Sequence, residues 1–257
     1  MKILLLLVII ALAFAVPSND NDQLIRKDFV RSLKAIPKTW EVEDWQNNKF
    51  RGWTVGQLKD WLGTYQSPRP NIQLDHEYVS LNAPDNWDWR KESDCVSAVR
   101  DQQNCGSCWA FGATGSLTDR FCIDRGMSSP LSPEDLVVCD KGCFGCQGGF
   151  LGSAFRYLER TGAVLDTCLP YVSGDGETFP ECPTHVCADP AIKFKKYQCQ
   201  DGSVKHFRKI IFSIKDKMKD EIMNGPVEAS FTVYKDFMSY KSGIYKHTTG
   251  EQLGGRN

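Results

Sequence analysis

The chain has 257 residues, 41% of them hydrophobic, and a formal net charge of −1. This length suits one large domain, or a domain with a segment that is removed during processing. A charge near zero gives no electrostatic reason to expect nucleic acid as a partner. We therefore expect a globular protein that does not bind nucleic acid.

The first residues have the pattern of a secretory signal peptide. Lys2 precedes an apolar run from Ile3 to Val16, and Ala13-Phe14-Ala15 offers small residues at the spacing of a cleavage site. A membrane anchor is the alternative, but the run is shorter than the ~20 residues needed to cross a bilayer. We expect a signal peptide of residues 1–15, entry into the secretory pathway, and a mature protein without a membrane anchor.

The cysteines divide the remaining chain into two parts. Residues 16–80 contain none, whereas all eleven lie in residues 81–257. Cysteines form disulfides in the oxidising secretory pathway, and an odd number leaves at least one thiol as a candidate reactive group. We interpret residues 16–80 as a pro-segment and residues 81–257 as the main domain; an ordinary N-terminal subdomain is the alternative for the first part.

Helical patterns dominate the proposed pro-segment. One apolar stripe consists of Ile25, Phe29 and Leu33. A second consists of Val55, Leu58, Leu62 and Tyr65, with Thr54 as a candidate N-cap. The stretch Ser67-Pro68-Arg69-Pro70-Asn71 is expected to break regular structure.

In the main domain, three helices are followed by a loop-rich region, residues 166–190, a fourth helix and a strand. The helical stripes are Ala110, Ala113, Leu117, Phe121; Leu151, Ala154, Phe155, Leu158; and Ile214, Met218, Ile222. Ser132 and Pro133 have the N-cap and first-position identities of another helix start. Strict alternation from Val227 to Val233 predicts a half-buried strand. This pattern indicates an α+β protein.

Cys108 combines a nucleophilic residue type with a helix start. Unpaired N–H groups and the positive helix dipole at this position are expected to lower the thiol pKa, and a thiolate is a nucleophile for acyl transfer. Gln102 could donate its amide to a developing oxyanion, together with the backbone N–H of Cys108. Two alternatives remain open from spacing alone: a Cys105–Cys108 redox pair, or a zinc site with Cys143 and Cys146, although zinc pairs are typically only ~15–20 residues apart.

Cys105-Gly106-Ser107-Cys108-Trp109-Ala110-Phe111 resembles the active-site signature of the papain family of cysteine peptidases. Further segments resemble its cathepsin B-like branch. They are Lys38-Thr39-Trp40, Asn48-Lys49-Phe50, Cys146-Gln147-Gly148-Gly149, Asn224 to Ala229, Tyr240 to Tyr245, and Thr249-Gly250-Glu251. The resemblance covers nearly all of residues 20–255. It implies a papain-like two-lobed fold, with a helical lobe and a β-barrel lobe that is incomplete here, preceded by a short helical pro-segment.

The resemblance also implies residue roles. Cys108 would be the nucleophile and Gln102 the oxyanion donor, while Gly148, Gly149 and Phe150 would line the substrate cleft. The implied disulfides are Cys95–Cys122, Cys105–Cys146, Cys139–Cys182 and Cys168–Cys187, and a Cys143–Cys199 bond would use the remaining pair. Polypeptides would be the substrates and the protein's own pro-segment the inhibitor of a monomeric enzyme in a lysosome-like compartment or outside the cell. No cofactor or metal is expected.

The chain departs from the family pattern at its last residues. The family histidine follows a Gly-Gly pair ~130–150 residues after the cysteine, but here Arg256 follows Gly254-Gly255. Arginine cannot serve as a base because its pKa is above ~12. His247 falls in the same window, yet the resemblance gives it a surface position. We expect a C-terminally truncated chain that lacks the family's histidine and asparagine and is inactive as written.

The stretch Val172–Glu181 is a second departure. The cathepsin B-like branch carries an occluding loop with a His-His pair near here, and this chain has neither. We therefore expect endopeptidase activity from the complete enzyme. A non-catalytic, peptide-binding papain-fold protein is the alternative, and a thiol redox protein using Cys105 and Cys108 is a third hypothesis.

Overall fold

A computed structural model of the chain describes residues 19–65, 83–199 and 215–254. The predicted signal peptide, the break at Ser67–Asn71 and Arg256 lie outside these residues. The chain forms two compact units, and the first of the three points at which it passes from one to the other falls within a short helix. Within the described residues, no helix is both long and apolar enough to cross a membrane.

The first unit combines residues up to Gln57 with the segment Tyr234–Leu253. Its first part contains helix α1 (Lys27–Ala35), strand β1 (Trp40–Val42) and the start of helix α2 (Val55–Trp61). Its second part contains a 3-10 helix (Lys235–Ser239) and strand β4 (Tyr240–Gly243). Strands β1 and β4 are antiparallel, with a shift in register between Glu41 and Val42. Two distant parts of the sequence therefore share one small sheet.

Aromatic packing holds this sheet together. The Trp40 ring lies 6.2 Å from that of Tyr240 and 5.2 Å from that of Tyr245, and its indole N–H donates to the carbonyl of Lys246 at 2.9 Å. The buried Asn48 amide donates to the carbonyl of Met238 at 2.8 Å. Each of these contacts joins the N-terminal part of the chain to the segment Tyr234–Leu253.

The second unit is mainly helical. It contains the end of α2 and five further helices: α3 (Trp89–Glu92), α4 (Cys108–Arg125), α5 (Pro133–Cys139), α6 (Leu151–Arg160) and α7 (Lys215–Ile222). Two 3-10 turns lie at Gly145–Gln147 and Ser173–Asp175. Strands β2, Thr64–Tyr65, and β3, Gly149–Phe150, pair in parallel. Helices α4, α5 and α6 enclose the main core, to which α4 contributes the predicted stripe Ala110, Ala113, Leu117 and Phe121.

Local signals in the sequence fixed several helix ends correctly. Ser132 accepts a hydrogen bond from the Asp135 N–H at 3.2 Å, with Pro133 in the first turn of α5. Thr54 and Gln57 exchange the two hydrogen bonds of a capping box at the start of α2. Gly162, beyond the end of α6, has φ +78°, which favours glycine.

Two predicted elements are wrong. The segment Val227–Val233 is not a strand, and Phe231 is 55% exposed. Alternating apolar and polar residues form a strand only where a neighbouring strand supplies the backbone hydrogen bonds. Among the described residues, no strand pairs with this segment. The second helical stripe also stops early, because α2 ends at Trp61 and Tyr65 lies in β2.

Candidate active site

Cys108 is the first residue of α4, as the sequence predicts. Its neighbour Trp109 is fully buried, and the Trp109 indole N–H donates to the carbonyl of Gly145 at 3.2 Å. The thiol of Cys108 is only partly buried. The helix thus anchors the chain on one side of Cys108 and leaves its sulfur able to meet another group.

The segment Leu58–Tyr65, here called the covering segment, lies against Cys108. The Thr64 hydroxyl is 3.0 Å from the Cys108 sulfur. Burial raises the pKa of the Cys108 thiol, and hydrogen bonds from the Thr64 hydroxyl and the Gly63 N–H offset this only in part. The expectation of a lowered pKa is therefore wrong for this state of the protein, because the covering segment excludes water that would solvate a thiolate.

Gln102 meets the same segment. Its side-chain amide donates to the carbonyl of Trp61 at 2.9 Å and to the carbonyl of Cys105 at 2.8 Å. An amide held against a carbonyl oxygen beside a thiol has the arrangement of an oxyanion donor. In this structure the Trp61 carbonyl occupies that amide.

Gly148 and Gly149 form the other wall of the site. Thr64 pairs with Gly149 in the β2–β3 ladder, and the Gly149 N–H donates to the carbonyl of Gly63 at 2.8 Å. Gly148 has φ +114°, and a Cβ there would lie 2.8 Å from the Tyr65 ring and 3.0 Å from the carbonyl of Gly63. Only glycine allows the backbone of the covering segment to approach this closely.

Three aromatic rings extend this wall. The Tyr65 ring lies 5.4 Å from Phe150 and 5.8 Å from Phe144, and the Tyr65 hydroxyl donates to the carbonyl of Gln147 at 2.5 Å. Phe150 was a candidate site residue from sequence, whereas Phe144, Thr64 and Tyr65 were not. Phe144 follows directly on Cys143 in a glycine-rich stretch, but no sequence spacing links it to Tyr65.

Four disulfides stabilise the second unit: Cys95–Cys122, Cys105–Cys146, Cys139–Cys182 and Cys168–Cys187. These are the four pairs that the family resemblance implies. The Cys105–Cys146 bond leaves no dithiol at positions 105 and 108, which removes the redox pair. It also consumes two of the four candidate zinc ligands.

The fifth bond, Cys143–Cys199, does not form. Burial raises the pKa of the Cys143 thiol to about 12, so it is a poor nucleophile. Its sulfur accepts the Phe150 N–H at 3.4 Å, directly behind the β3 wall. The number of cysteines could not reveal this, because a free cysteine can pack in a core as a small hydrophobic residue without forming a disulfide.

His247 belongs to the first unit. Its ring stacks on Tyr234 at 3.7 Å and its Nδ1 lies 3.1 Å from a carboxylate oxygen of the buried Asp236. His185 is in an exposed loop. Within the described ranges, no group of three or more histidine, cysteine or acidic side chains is arranged to hold a metal ion.

Comparison with solved structures defines the class of protein. The proform "proCathepsin B S9" of Trypanosoma congolense matches with a TM-score of 0.74 at 26% identity, covering 91% of this chain and 81% of that one. Digestive procathepsin L 3 of Tenebrio molitor shares the fold at 21% identity, with a TM-score of 0.59 and 87% of this chain covered against 66% of its own. The fold is papain-like, although the described strands do not close a barrel.

Sequence comparison gives the family. The model of the papain family cysteine proteases matches residues 83–256, and the chain belongs to this family. Cathepsin B of Dictyostelium discoideum is 39% identical over 283 aligned positions, covering 99% of this chain and 84% of that protein. The cathepsin B-like CP3 of Giardia intestinalis is 33% identical, covering 97% of this chain and 81% of its own length. The chain is therefore a cysteine-type peptidase precursor, similar to cathepsin B.

Proposed function

We propose that this chain is the precursor of a cysteine endopeptidase in which Cys108 is the nucleophile, Gln102 the oxyanion donor and residues 16–80 an inhibitory pro-segment. The observation that carries the proposal is a pair of contacts made by one short segment. The Trp61 carbonyl meets the Gln102 amide at 2.9 Å, and the Thr64 hydroxyl meets the Cys108 sulfur at 3.0 Å. A substrate peptide would need both groups, so the covering segment and a substrate exclude each other.

In the reaction, the Cys108 thiolate attacks the carbonyl carbon of the substrate. A sulfur–carbon bond forms, and the carbonyl π electrons move to the oxygen, which the Gln102 amide and the Cys108 backbone N–H stabilise. Collapse breaks the peptide bond, and the leaving amine takes up one proton, which balances the proton that the Cys108 thiol released when it became a thiolate. Water then hydrolyses the acyl-enzyme. Gly148, Gly149 and Phe150 would hold the substrate backbone where the covering segment now lies.

Proton transfer is the step for which this chain has no suitable partner by the family pattern. The guanidinium of Arg256 follows Gly254-Gly255, where the family resemblance implies a histidine, and it cannot accept a proton. The proposal therefore gives Cys108 the covalent capture of a carbonyl and assigns no role as a base to Arg256.

The loop at residues 172–181 supports endopeptidase rather than exopeptidase specificity. The loop is a short turn at Ser173–Asp175 closed by the Cys139–Cys182 disulfide, and it contains no histidine. The alignment with the Dictyostelium protein has 283 positions, more than the 257 residues of this chain, so that relative carries insertions. Without an occluding loop, polypeptides can extend past the site in both directions.

The disulfides support a proposal for the compartment. Four bonds persist only where the surroundings are oxidising or lack reductants. Together with the predicted signal peptide, they favour a lysosome-like compartment or secretion. The enzyme would act there as a monomer on polypeptide substrates.

A non-catalytic, peptide-binding homologue is the second candidate, and Arg256 is the observation that favours it. Both candidates predict peptide binding, but only the first predicts a nucleophilic Cys108. The full chain is treated with a peptidyl chloromethyl ketone, and the modified residue is identified by mass spectrometry, with Cys108→Ser as control. A fluorogenic peptide then tests turnover.

Selective modification at Cys108 supports the nucleophile. If the reagent modifies Cys108 no faster than Cys143 and Cys199, the role of Cys108 as nucleophile is refuted. The peptide-binding homologue is then the remaining candidate. Turnover by residues 1–257 would show that another group serves as the base.

A further inference from the structure

The loop Gln102–Ser107 joins the proposed oxyanion donor to the nucleophile, and a second loop, Tyr171–Gly174, holds it from behind. The Tyr171 hydroxyl donates to the backbone carbonyl of Gln102 at 2.8 Å and lies 2.9 Å from the Ser107 hydroxyl. Its ring packs edge-on against Phe111 of α4 at 4.7 Å. One side chain therefore touches both ends of the loop.

The hydrogen bonds of Tyr171 have a defined direction. A phenol has a single proton, which it gives to the Gln102 carbonyl, so the Ser107 hydroxyl must donate to the Tyr171 oxygen. Burial raises the pKa of Tyr171 to about 12, so the phenol keeps this proton throughout the working range of a peptidase. The bond to Gln102 is thus present at every pH at which the enzyme would act.

Ser107 is used in an unusual way. It is the N-cap residue of α4, a position where serine commonly accepts a backbone N–H from the first turn, yet its side chain makes no capping bond. It turns to Tyr171 instead. The Trp109 backbone N–H, which a capping Ser107 would take, instead favours the Cys108 thiolate.

The rest of the second loop fixes its position. The carbonyl of Gly174 accepts the Asn104 N–H at 2.8 Å, and a Cβ at Gly174 would press on the Gln103 side chain. Gln103 has φ +54°, a costly conformation for a residue with a side chain. The contacts with Gly174 therefore help to maintain a strained backbone directly after Gln102.

A buried carboxylate anchors this second loop. Glu134, fully buried in the first turn of α5, accepts the N–H groups of Val172 at 3.1 Å and Ser173 at 3.2 Å, and the Ser173 hydroxyl as well. Charged hydrogen bonds of this kind are about twice as strong as neutral ones. The anchor runs from α5 through Tyr171 to the loop that carries Gln102.

We propose that Tyr171 is a positioning residue for the peptidase reaction: its hydroxyl fixes Gln102 as oxyanion donor and keeps Ser107 from capping the helix of the nucleophile. This inference rests on the proposed function, since it needs Cys108 to attack a carbonyl. It assigns Tyr171 two separable effects, one on the oxyanion and one on the thiolate.

The test uses the full chain and two reagents at Cys108. A peptide aldehyde adds the thiol across its carbonyl, so that a sulfur–carbon bond forms and the thiol proton ends on the oxygen that Gln102 would bind. Iodoacetamide alkylates the thiolate with loss of iodide and creates no oxyanion.

Tyr171→Phe removes only the hydroxyl. We expect the aldehyde Kd to rise about tenfold, close to the loss of one hydrogen bond, and the pH midpoint of alkylation to move upward as Ser107 turns to cap α4. The double variant Tyr171→Phe with Ser107→Ala should restore the pH midpoint of alkylation, because alanine cannot cap α4. Its aldehyde Kd should stay as high as that of Tyr171→Phe alone. Tyr157→Phe, which removes a hydroxyl bonded to the buried Asp135 in the same unit, is the matched control for stability alone.

Three outcomes decide the question. An unchanged aldehyde Kd in Tyr171→Phe overturns the positioning role, and so does an equal weakening in Tyr157→Phe, which would reduce the effect to general stability. If the wild-type chain forms no aldehyde adduct and Cys108 is not alkylated, the proposed function fails, and this inference fails with it.

Discussion

The hydroxyl oxygen of Thr64 lies 3.0 Å from the sulfur of Cys108, 44 residues further along the chain. Thr64 also pairs with Gly149 in the β2–β3 ladder, so backbone hydrogen bonds hold its side chain at the thiol. The proposed nucleophile is therefore in direct hydrogen-bond contact with the segment that covers it.

Thr64→Val should make Cys108 less reactive while the covering segment stays in place. Valine has nearly the same shape, so the burial that raises the pKa of Cys108 remains, but one of the groups that favour the thiolate is lost. A hydrogen bond of about 1 kcal/mol corresponds to about 0.7 in pH. The pH dependence of iodoacetamide alkylation should shift upward by this amount; faster alkylation would mean that Thr64 acts mainly by holding the segment down.

Gly63→Ala should have the opposite effect. A Cβ at this position would collide with the backbone carbonyl of Gly106, which cannot move because Gly106 donates to Cys146 at 2.9 Å. Displacement of the covering segment would hydrate Cys108, lower its pKa and raise its alkylation rate at pH 7 about tenfold.

Gly56→Ala is the matched control for Gly63→Ala. It lies seven residues earlier, within helix α2, where a Cβ would come 3.1 Å from the Asp20 side chain. Its alkylation rate should stay near that of the wild type. Equal rates for all three proteins would show that the covering segment does not protect the thiol.

Asp236→Asn should destabilise the first unit in a pH-dependent way. Burial raises the pKa of Asp236, but hydrogen bonds from the Tyr245 hydroxyl, the N–H groups of Thr248 and Thr249, and His247 more than offset this, so the pKa lies below its usual value. A depressed folded-state pKa gives stability that is present above the unfolded value of about 3.9 and is lost as the pH falls through the folded value.

Thermal unfolding at pH 7 should show a loss of about 3 kcal/mol for Asp236→Asn, and the difference from the wild type should shrink below pH 3. Asp28→Asn is the control, because this carboxylate pairs with Arg26 at an exposed position of the same unit. A loss that is the same at both pH values would refute the linkage to the carboxylate.

Arg120→Met should destabilise the second unit strongly. Arg120 and Glu221 form an ion pair at 2.9 Å with side chains only 1% and 8% exposed, and Arg120 also donates to the carbonyls of Gly225 and Pro226. Removing one partner leaves a buried charge, at a cost of about 3–5 kcal/mol in chemical denaturation.

The double variant Arg120→Met with Glu221→Met tests this reasoning. Removing both charges should recover much of the lost stability, since the stranded carboxylate is gone. A double variant that is less stable than Arg120→Met would show instead that the contacts of Arg120 with the backbone carbonyls dominate.

Local chemistry made part of the active site predictable. The helix at Cys108 and the cap at Ser132 follow from residues within one turn of each position, so they could be read directly from the sequence. The Val227–Val233 segment could not, because a strand depends on a neighbour elsewhere in the chain. The same limit applies to Cys143, whose environment is set by Phe150 and the core rather than by spacing.

The sequence by itself determined the family and the helix that begins at Cys108, the proposed nucleophile, because these depend on a short motif and on local backbone preferences. Only the tertiary structure decided the state of that nucleophile. Thr64, Trp61 and Tyr171 reach the site from distant parts of the second unit, and their hydrogen bonds and burial set the pKa of Cys108 and the orientation of Gln102. Desolvation and hydrogen bonding act through space, so no spacing along the chain could reveal them.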